Sequence, residues 1–303
     1  MVLTAALTGT AYWYWSQPAE RSGDRRIAQV AVSPSGRWFA AGSVSSRFAI
    51  WQTQLPDRAQ FFRIPDATPR ALAFNQDEDQ LAIAHSAGLS LKPVQEMGAP
   101  ELLRSGSGFR MAAFQPKSAS LLAITDSGSI EWFGGARCCG AAPSAAFSPD
   151  GSLIATGGSW PALWMAHSGK LVARLTREGE FADFGPIDFD RVRGWVLMGS
   201  RDGRVYAWDL TSGVLRAKSP EPAGAVESLA ILKSSPWIAF AMSGAPLHMW
   251  NADTGEMRSL DALPYSNVVA GPSRGSVLFG NYAGSVELWN AENATVISRF
   301  TLR

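Results

Sequence analysis

The sequence predicts an all-β fold that repeats one four-stranded unit seven times. Three observations carry this: a strand–turn–strand phrase recurs along the chain, bulky residues mark it at a near-constant period, and no window of a dozen residues past position 20 has helical periodicity. The phrase is clearest in "AAFSPDGSLIATGG", Ala145 to Gly158: a strand, a Ser-Pro-Asp-Gly turn, a second strand and a pair of glycines. It returns as "VAVSPSGRWFAAGS" from Val30, "LAFNQDEDQLAIAHS" from Leu72 and "AAFQPKSASLLAITDS" from Ala112.

The period comes from the residue that ends the third strand of each unit. "RFAIW", "PALW", "RVYAW", "PLHMW" and "SVELW" end at Trp51, Trp164, Trp208, Trp250 and Trp289, and "GLSLK" and "GSIEWF" fill the two gaps, ending at Lys92 and Phe133. The spacings of 41, 41, 31, 44, 42 and 39 residues match the roughly 40–45 residues of a four-stranded propeller blade. A second register supports the first. Trp38, Trp195 and Trp237 each lie thirteen residues before Trp51, Trp208 and Trp250. Much of the tryptophan is therefore assigned to the space between neighbouring sheets, which large rings fill well.

Within each unit the third strand alternates with period two and Gly or Asp-Gly occupies the turns, as in "PIDF", "WVLMGS", "RVYAWDL" and "VLRAKS" of the fifth unit. At 303 residues, with 46% hydrophobic and 17% charged residues, the chain has ample apolar material for one large all-β domain and too little charge for a disordered one. A formal net charge of +1, with no basic run longer than Arg25–Arg26, argues against nucleic-acid binding. Two adjacent cysteines, Cys138 and Cys139, allow no disulfide framework and leave the redox compartment open.

"AAFSPDGSLIATGG" together with "GSRDGRVYAWDLTSGVL", Gly199 to Leu215, resembles the WD-repeat β-propeller family over about Ile27 to Arg303. The resemblance implies a seven-bladed β-propeller serving as a scaffold or adaptor. The chain departs from the family pattern in its polar network. Only Asp202 stands at the family's Asp position, six residues before the marker; Ser45, Ser86, Ser127, Gly158, Gly244 and Ala283 stand there in the other blades, and no Gly-His pair occurs. Apolar packing must then hold the blades together.

Blade 3 is short. Only "GGARCCGAAP" separates Phe133 from the next first strand, so an outermost strand is not expected to fit, and the backbone edge near "SIEWF" is left open to a partner strand around Glu131 and Trp132. The alternative is a stubby strand at Cys138–Cys139. The first nineteen residues carry no charge. As a helix, Val2 to Trp15 would be about 21 Å long, short of the roughly 30 Å hydrocarbon core. The cluster Tyr12, Trp13, Tyr14 and Trp15 would suit a membrane interface. The segment also alternates well enough for an extra strand, and it lacks the basic start of a signal peptide. Because "ATVISRFTLR" already supplies the last strand of blade 7, residues 1–19 are assigned to a membrane or partner anchor, residues 20–26 to a linker and 27–303 to the propeller. Arg21, Arg25 and Arg26 favour a cytoplasmic side for a membrane-associated propeller; a soluble cytoplasmic or periplasmic protein is the alternative.

Reaction chemistry is sparse. His85, His167 and His248 have no ligand spacing, G-x-S-x-G is absent, and "GPSRG" at Gly271 to Gly275 fits a hairpin turn. Asp126, Asp188, Asp190 and Asp202 are placed in turns. A catalytic propeller would need ionisable groups converging from the first strands, where only Arg70, Arg110, Asp188 and Glu227 are charged. Trp160, before Pro161 in a turn, either packs over the short blade or stands exposed as a binding anchor. The expectation is a non-catalytic protein–protein interaction scaffold, a complex subunit with protein partners and with no metal, cofactor or small-molecule substrate; a propeller enzyme or ligand-binding module using the channel is the alternative.

Overall fold

The structure, a computed structural model, describes residues 26–134, 139–175, 183–220, 224–242, 245–260 and 265–302, with the backbone alone at 56, 57 and 265–267. Tyr12 to Trp15, the rest of the apolar segment and most of the 20–26 stretch lie outside the described residues. The described chain forms 27 strands in seven antiparallel sheets, each contiguous in sequence.

Blade 1 comprises β1 (Ile27–Val32), β2 (Trp38–Ser43), β3 (Arg47–Gln52) and β4 (Leu55–Arg63); blade 2 comprises β5 (Pro69–Phe74), β6 (Gln80–His85), β7 (Gly88–Pro93) and β8 (Glu101–Ser105). Blade 3 has β9 (Phe109–Phe114), β10 (Leu121–Thr125) and β11 (Ile130–Phe133); blade 4 has β12 (Ala145–Phe147), β13 (Leu153–Thr156), β14 (Ala162–Met165) and β15 (Leu171–Arg174). Blade 5 has β16 (Phe184–Asp190), β17 (Trp195–Ser200), β18 (Val205–Asp209) and β19 (Leu215–Lys218). Blade 6 follows with β20 (Val226–Ile231), β21 (Trp237–Met242), β22 (Leu247–Asn251) and β23 (Met257–Leu260), and blade 7 with β24 (Tyr265–Ala270), β25 (Ser276–Asn281), β26 (Ser285–Asn290) and β27 (Thr295–Thr301). Six sheets have four strands, and among the described residues the third has three. No helix among them is long and apolar enough to cross a membrane.

Register explains the two tryptophan series. Trp51 lies opposite Phe39, Trp208 opposite Val196 and Trp250 opposite Ile238, so Trp38, Trp195 and Trp237 are each one residue out of step. Side chains alternate faces along a strand, so the two series point to opposite sides of the sheet. Trp208 and Trp250 accordingly pack toward the preceding blade, while Trp38 and Trp237 pack toward the following one. Both faces of every sheet are thus buried, and the second strands read as near-continuous apolar runs. In blade 2 the marker is Lys92, 2% exposed. Its ammonium donates to the Pro93 carbonyl at 2.6 Å and to the Glu96 carbonyl, 5.9 Å from the Phe62 ring centroid. Burial pushes this amine below the usual lysine range.

Seven apolar clusters sit between successive blades, one at each interface, including that between blades 7 and 1. Among the described residues no strand is shared across that seam: all four strands of blade 7 come from the C-terminal end and all four of blade 1 from residues 27–63. Phe300 on β27 meets Phe39 at 4.5 Å and Trp51 at 6.1 Å between ring centroids. A Cβ on Gly280 would come 2.2 Å from Cγ2 of Ile27, so glycine is required for that approach. The Ser-Pro-Asp-Gly turn has a similar need. Gly151 adopts φ +76° and would set a Cβ 2.7 Å from the Pro116 carbonyl oxygen of blade 3. Ser148 and Ser152 hydroxyls donate to Asp150 at 2.5 and 2.7 Å, drawing its carboxyl down to about 2.

Candidate interaction site

Converging chemistry in a propeller comes from the inner ends of its first strands. Six of the seven first strands carry a one-residue bulge near their start, at Ala28, Arg70, Arg110, Gly185–Pro186, Glu227 and residue 266; β12 has none. A bulge bends the strand and re-aims its side chain, and Arg70, Arg110 and Glu227 line a central cavity of about 740 Å3. Several of these cations have partners, although Arg110 Nε is a buried donor without one. Arg70 pairs with the Asp126 carboxylate, Arg110 donates to the Asp126 carbonyl, and Arg201 meets Asp183 at 3.0 Å. Among the described residues no group of three or more His, Cys, Asp or Glu side chains is placed to hold a metal.

Asp188 corrects its assignment to a turn: it lies within β16, where backbone bulging and packing draw it between blades. Its carboxylate accepts from the Ile231 amide of blade 6 at 2.9 Å and from the Phe189 amide at 2.8 Å. Burial, aided by the nearby Asp190 charge, pushes the carboxyl up from 3.8 to about 6 despite those two hydrogen bonds. The folded protein therefore holds this proton after the unfolded chain has lost it. The contribution is most favourable below about pH 4 and declines as pH rises toward 6. Asp188→Asn is expected to remove that part of the decline, on the order of 2 kcal/mol, measured as urea unfolding free energy at pH 4 and pH 6.5. An unchanged pH slope would show that the carboxyl is not buried in this way.

Two of the three histidines are structural. His85, 1% exposed, shares a hydrogen bond with Ser90 Oγ at 3.0 Å, and His248 stacks on Phe240 at 5.5 Å with Ser259 Oγ 3.3 Å from Nδ1. Burial lowers both imidazoles. His167 is exposed in a turn. Asp202, alone at the family's Asp position, accepts from the Tyr206 hydroxyl at 2.6 Å.

The features that point outward meet between blades 3 and 4. Here Leu122, Ile124, Ala145, Ile154 and Ala166 are buried, and Met111, Ile130, Trp132, Cys139, Phe147 and Trp164 pack partly buried against them. Blade 3 ends at β11. Thr125 N donates to Ser129 O at 2.9 Å, and the alternation of the ladder turns the amides of Ile130 and Trp132 away from β10 toward the outer edge. Cys139 to Ala142 follow without joining a strand, although Ala142 N donates to Gly128 O at 2.9 Å. The stubby strand is therefore not formed at Cys139, and Cys138 lies outside the described residues.

Glu131 faces blade 2 and meets Arg104 at 3.4 Å. Trp132 faces blade 4, edge-on to Phe147 at 6.0 Å, and its Nε1 is a buried donor without an acceptor. Beside it opens a groove of about 340 Å3, bordered by Cys139, Trp160, Trp164, Leu171 and Arg174. Trp160 is 66% exposed, with the Arg174 guanidinium 5.9 Å from its ring centroid. The loop that displays it is held on both sides: Gly157 N donates to Ser144 O at 3.0 Å, and Gly158 N to Phe184 O of blade 5 at 2.7 Å. Trp132 and Trp160 thus both lie on the blade 4 side, while Glu131 lies on the opposite face of the blade 3 sheet. The sequence did not reveal Leu171 and Arg174 as members, because their side chains reach it from the outer strand of the next blade.

The geometry defines a β-propeller with a built rim feature between blades 3 and 4. The family described as WD domain, G-beta repeat, matches residues 19–52, ending one residue past the first marker tryptophan. No curated protein sequence matches the chain. Among solved structures, the β-propeller domain of Cps50 (Swd1) from Myceliophteria thermophila is similar, with a TM-score of 0.73 at 13% identity, covering 89% of this chain and 98% of that one. The chain is a seven-bladed β-propeller, and its residues 19–52 match the WD domain, G-beta repeat.

Proposed function

We propose that the chain is a non-catalytic interaction scaffold, a subunit of a larger complex that docks protein partners on the rim between blades 3 and 4. The observation that carries this reading is an exposed Trp160 on a loop bonded to both flanks, beside a groove and a blade that has three strands among the described residues. Exposed aromatics on preorganised loops are the usual anchors of protein interfaces, since little entropy is lost when they bind. WD-repeat propellers generally serve as scaffolds, and among the described residues no group of His, Cys, Asp and Glu is placed to hold a metal. The uncharged residues 1–19, with Tyr12, Trp13, Tyr14 and Trp15, support attachment to a membrane, and Arg21, Arg25 and Arg26 support a cytoplasmic side.

Affinity purification from native membranes tests this with the full chain, a chain lacking residues 1–19, and Trp160→Ala. A stoichiometric partner held by the full chain and lost at least tenfold with Trp160→Ala is expected; tenfold corresponds to about 1.4 kcal/mol. Membrane recovery should vanish with the deletion. A partner indifferent to Trp160 would place docking elsewhere, and wholly soluble behaviour of the full chain would rule out the anchor.

A further inference from the structure

We infer that the end of blade 1 where the chain enters the propeller is a docking surface for an anionic membrane; this rests on the anchor reading above. Arg47 opens β3 and lies directly opposite Arg63, the last residue of β4. Like charges in such a cross-strand pair repel. Both side chains belong to the strand faces that carry Ala49, Trp51 and Phe61, which is the side toward blade 7. Arg26 joins them. Its carbonyl accepts from Val44 N at 3.0 Å in the turn before β3, and its guanidinium lies 5.6 Å from the Tyr282 ring centroid of blade 7. All three arginines are exposed. Among the described residues, the turns at this end of blades 7 and 1 carry a single carboxylate, Asp66.

Other arginines at this end of the disc are matched by their neighbours: Arg70 and Arg104 of blade 2 pair with Asp126 and Glu131 of blade 3. Arg47 makes no ion pair among the described residues. The apolar chemistry at the same corner identifies the surface it suits. Phe61, 37% exposed, lies on the same face two residues before Arg63. Trp15 of the uncharged segment is eleven residues ahead of Arg26, a tether of at most about 40 Å. Aromatic rings and arginines side by side suit the headgroup region of a bilayer. A single weak apolar anchor holds reversibly, and a basic patch is the second signal that makes attachment stable. Each arginine near an anionic surface strengthens attachment about fivefold. A nucleic-acid site takes about 6–10 phosphate contacts, more than this corner offers.

The test is flotation of the full chain with phosphatidylcholine vesicles, either neutral or containing about 30% phosphatidylserine. Arg47→Ala is expected to lower the partition coefficient onto the anionic vesicles about fivefold and Arg47→Glu more than about tenfold, with partitioning onto neutral vesicles unchanged. Arg47→Lys should partition as the parent does, because the surface reads charge. Arg47→Glu sets a carboxylate opposite Arg63, so its melting temperature should not fall and lost attachment does not reflect unfolding. The inference is overturned if the full chain partitions equally onto both vesicles, or if Arg47→Glu leaves the anionic ones bound. It is also overturned if an oligonucleotide competes the vesicles off at equal phosphate concentration. In each of these cases, flotation with neutral vesicles through residues 1–19 leaves the anchor reading standing. No flotation with either vesicle would sink the anchor reading and this inference together.

Discussion

Phe300→Ala is expected to destabilise the whole ring by about 3–5 kcal/mol, lowering the melting temperature by roughly 5–9 °C for a domain of this size. Phe300 is 8% exposed and lies at the seam, against Phe39 and Trp51 of the opposite chain end. Its loss leaves a cavity that β27, an edge strand, is poorly placed to collapse. The consequence is larger than for an internal interface, because among the described residues no strand is shared between blades 7 and 1 and the Phe300 cluster fills their seam. Calorimetry would check it. A melting temperature within a degree or two of the parent would mean that something other than this cluster joins the ends.

Trp208→Ala and Trp160→Ala are the same chemical change and are expected to have opposite results. Trp208 is fully buried between blades 4 and 5, stacked on Tyr206 at 5.8 Å and edge-on to Phe184 at 5.2 Å. Truncating it should cost about 3–5 kcal/mol of unfolding free energy. Trp160, exposed and lying over the groove, should change stability by no more than about 0.5 kcal/mol while abolishing partner capture. Denaturant titration of both variants separates a packing tryptophan from a docking one. A cost below about 1 kcal/mol at Trp208 would contradict the view that apolar interfaces hold this divergent propeller together.

Much of this was legible in the sequence, for a physical reason. A blade with both faces buried needs a large side chain on each face at fixed register. Trp38 and Trp51, or Trp195 and Trp208, therefore recur at one offset whether or not a polar network survives. Even Lys92 could be placed by the alternation of "GLSLK", although nothing in the sequence shows its ammonium capping the carbonyls of Pro93 and Glu96. The short connection after Phe133 pointed to a short blade, which has three strands among the described residues, and Trp160 before Pro161 suggested an exposed ring.

Other features were hidden because they depend on neighbours distant in the chain. The bulges that turn Arg70 and Arg110 to the cavity leave no compositional trace. Asp188 looks like a turn residue until Ile231 of the next blade is seen donating to it. Arg174 reads as one more surface charge on an outer strand; only the fold sets it above Trp160, fourteen positions earlier.

The termination of blade 3 at β11 can be measured through amide hydrogen exchange of Ile130 and Trp132 in the isolated chain, compared with Val286 and Leu288 at the matching positions of β26. Fast, turn-like exchange at Ile130 and Trp132 beside strong protection at Val286 and Leu288, which lie under β27, is the predicted result. Equal, slow exchange at all four amides would mean that the edge is already occupied, and the docking account would fall with it.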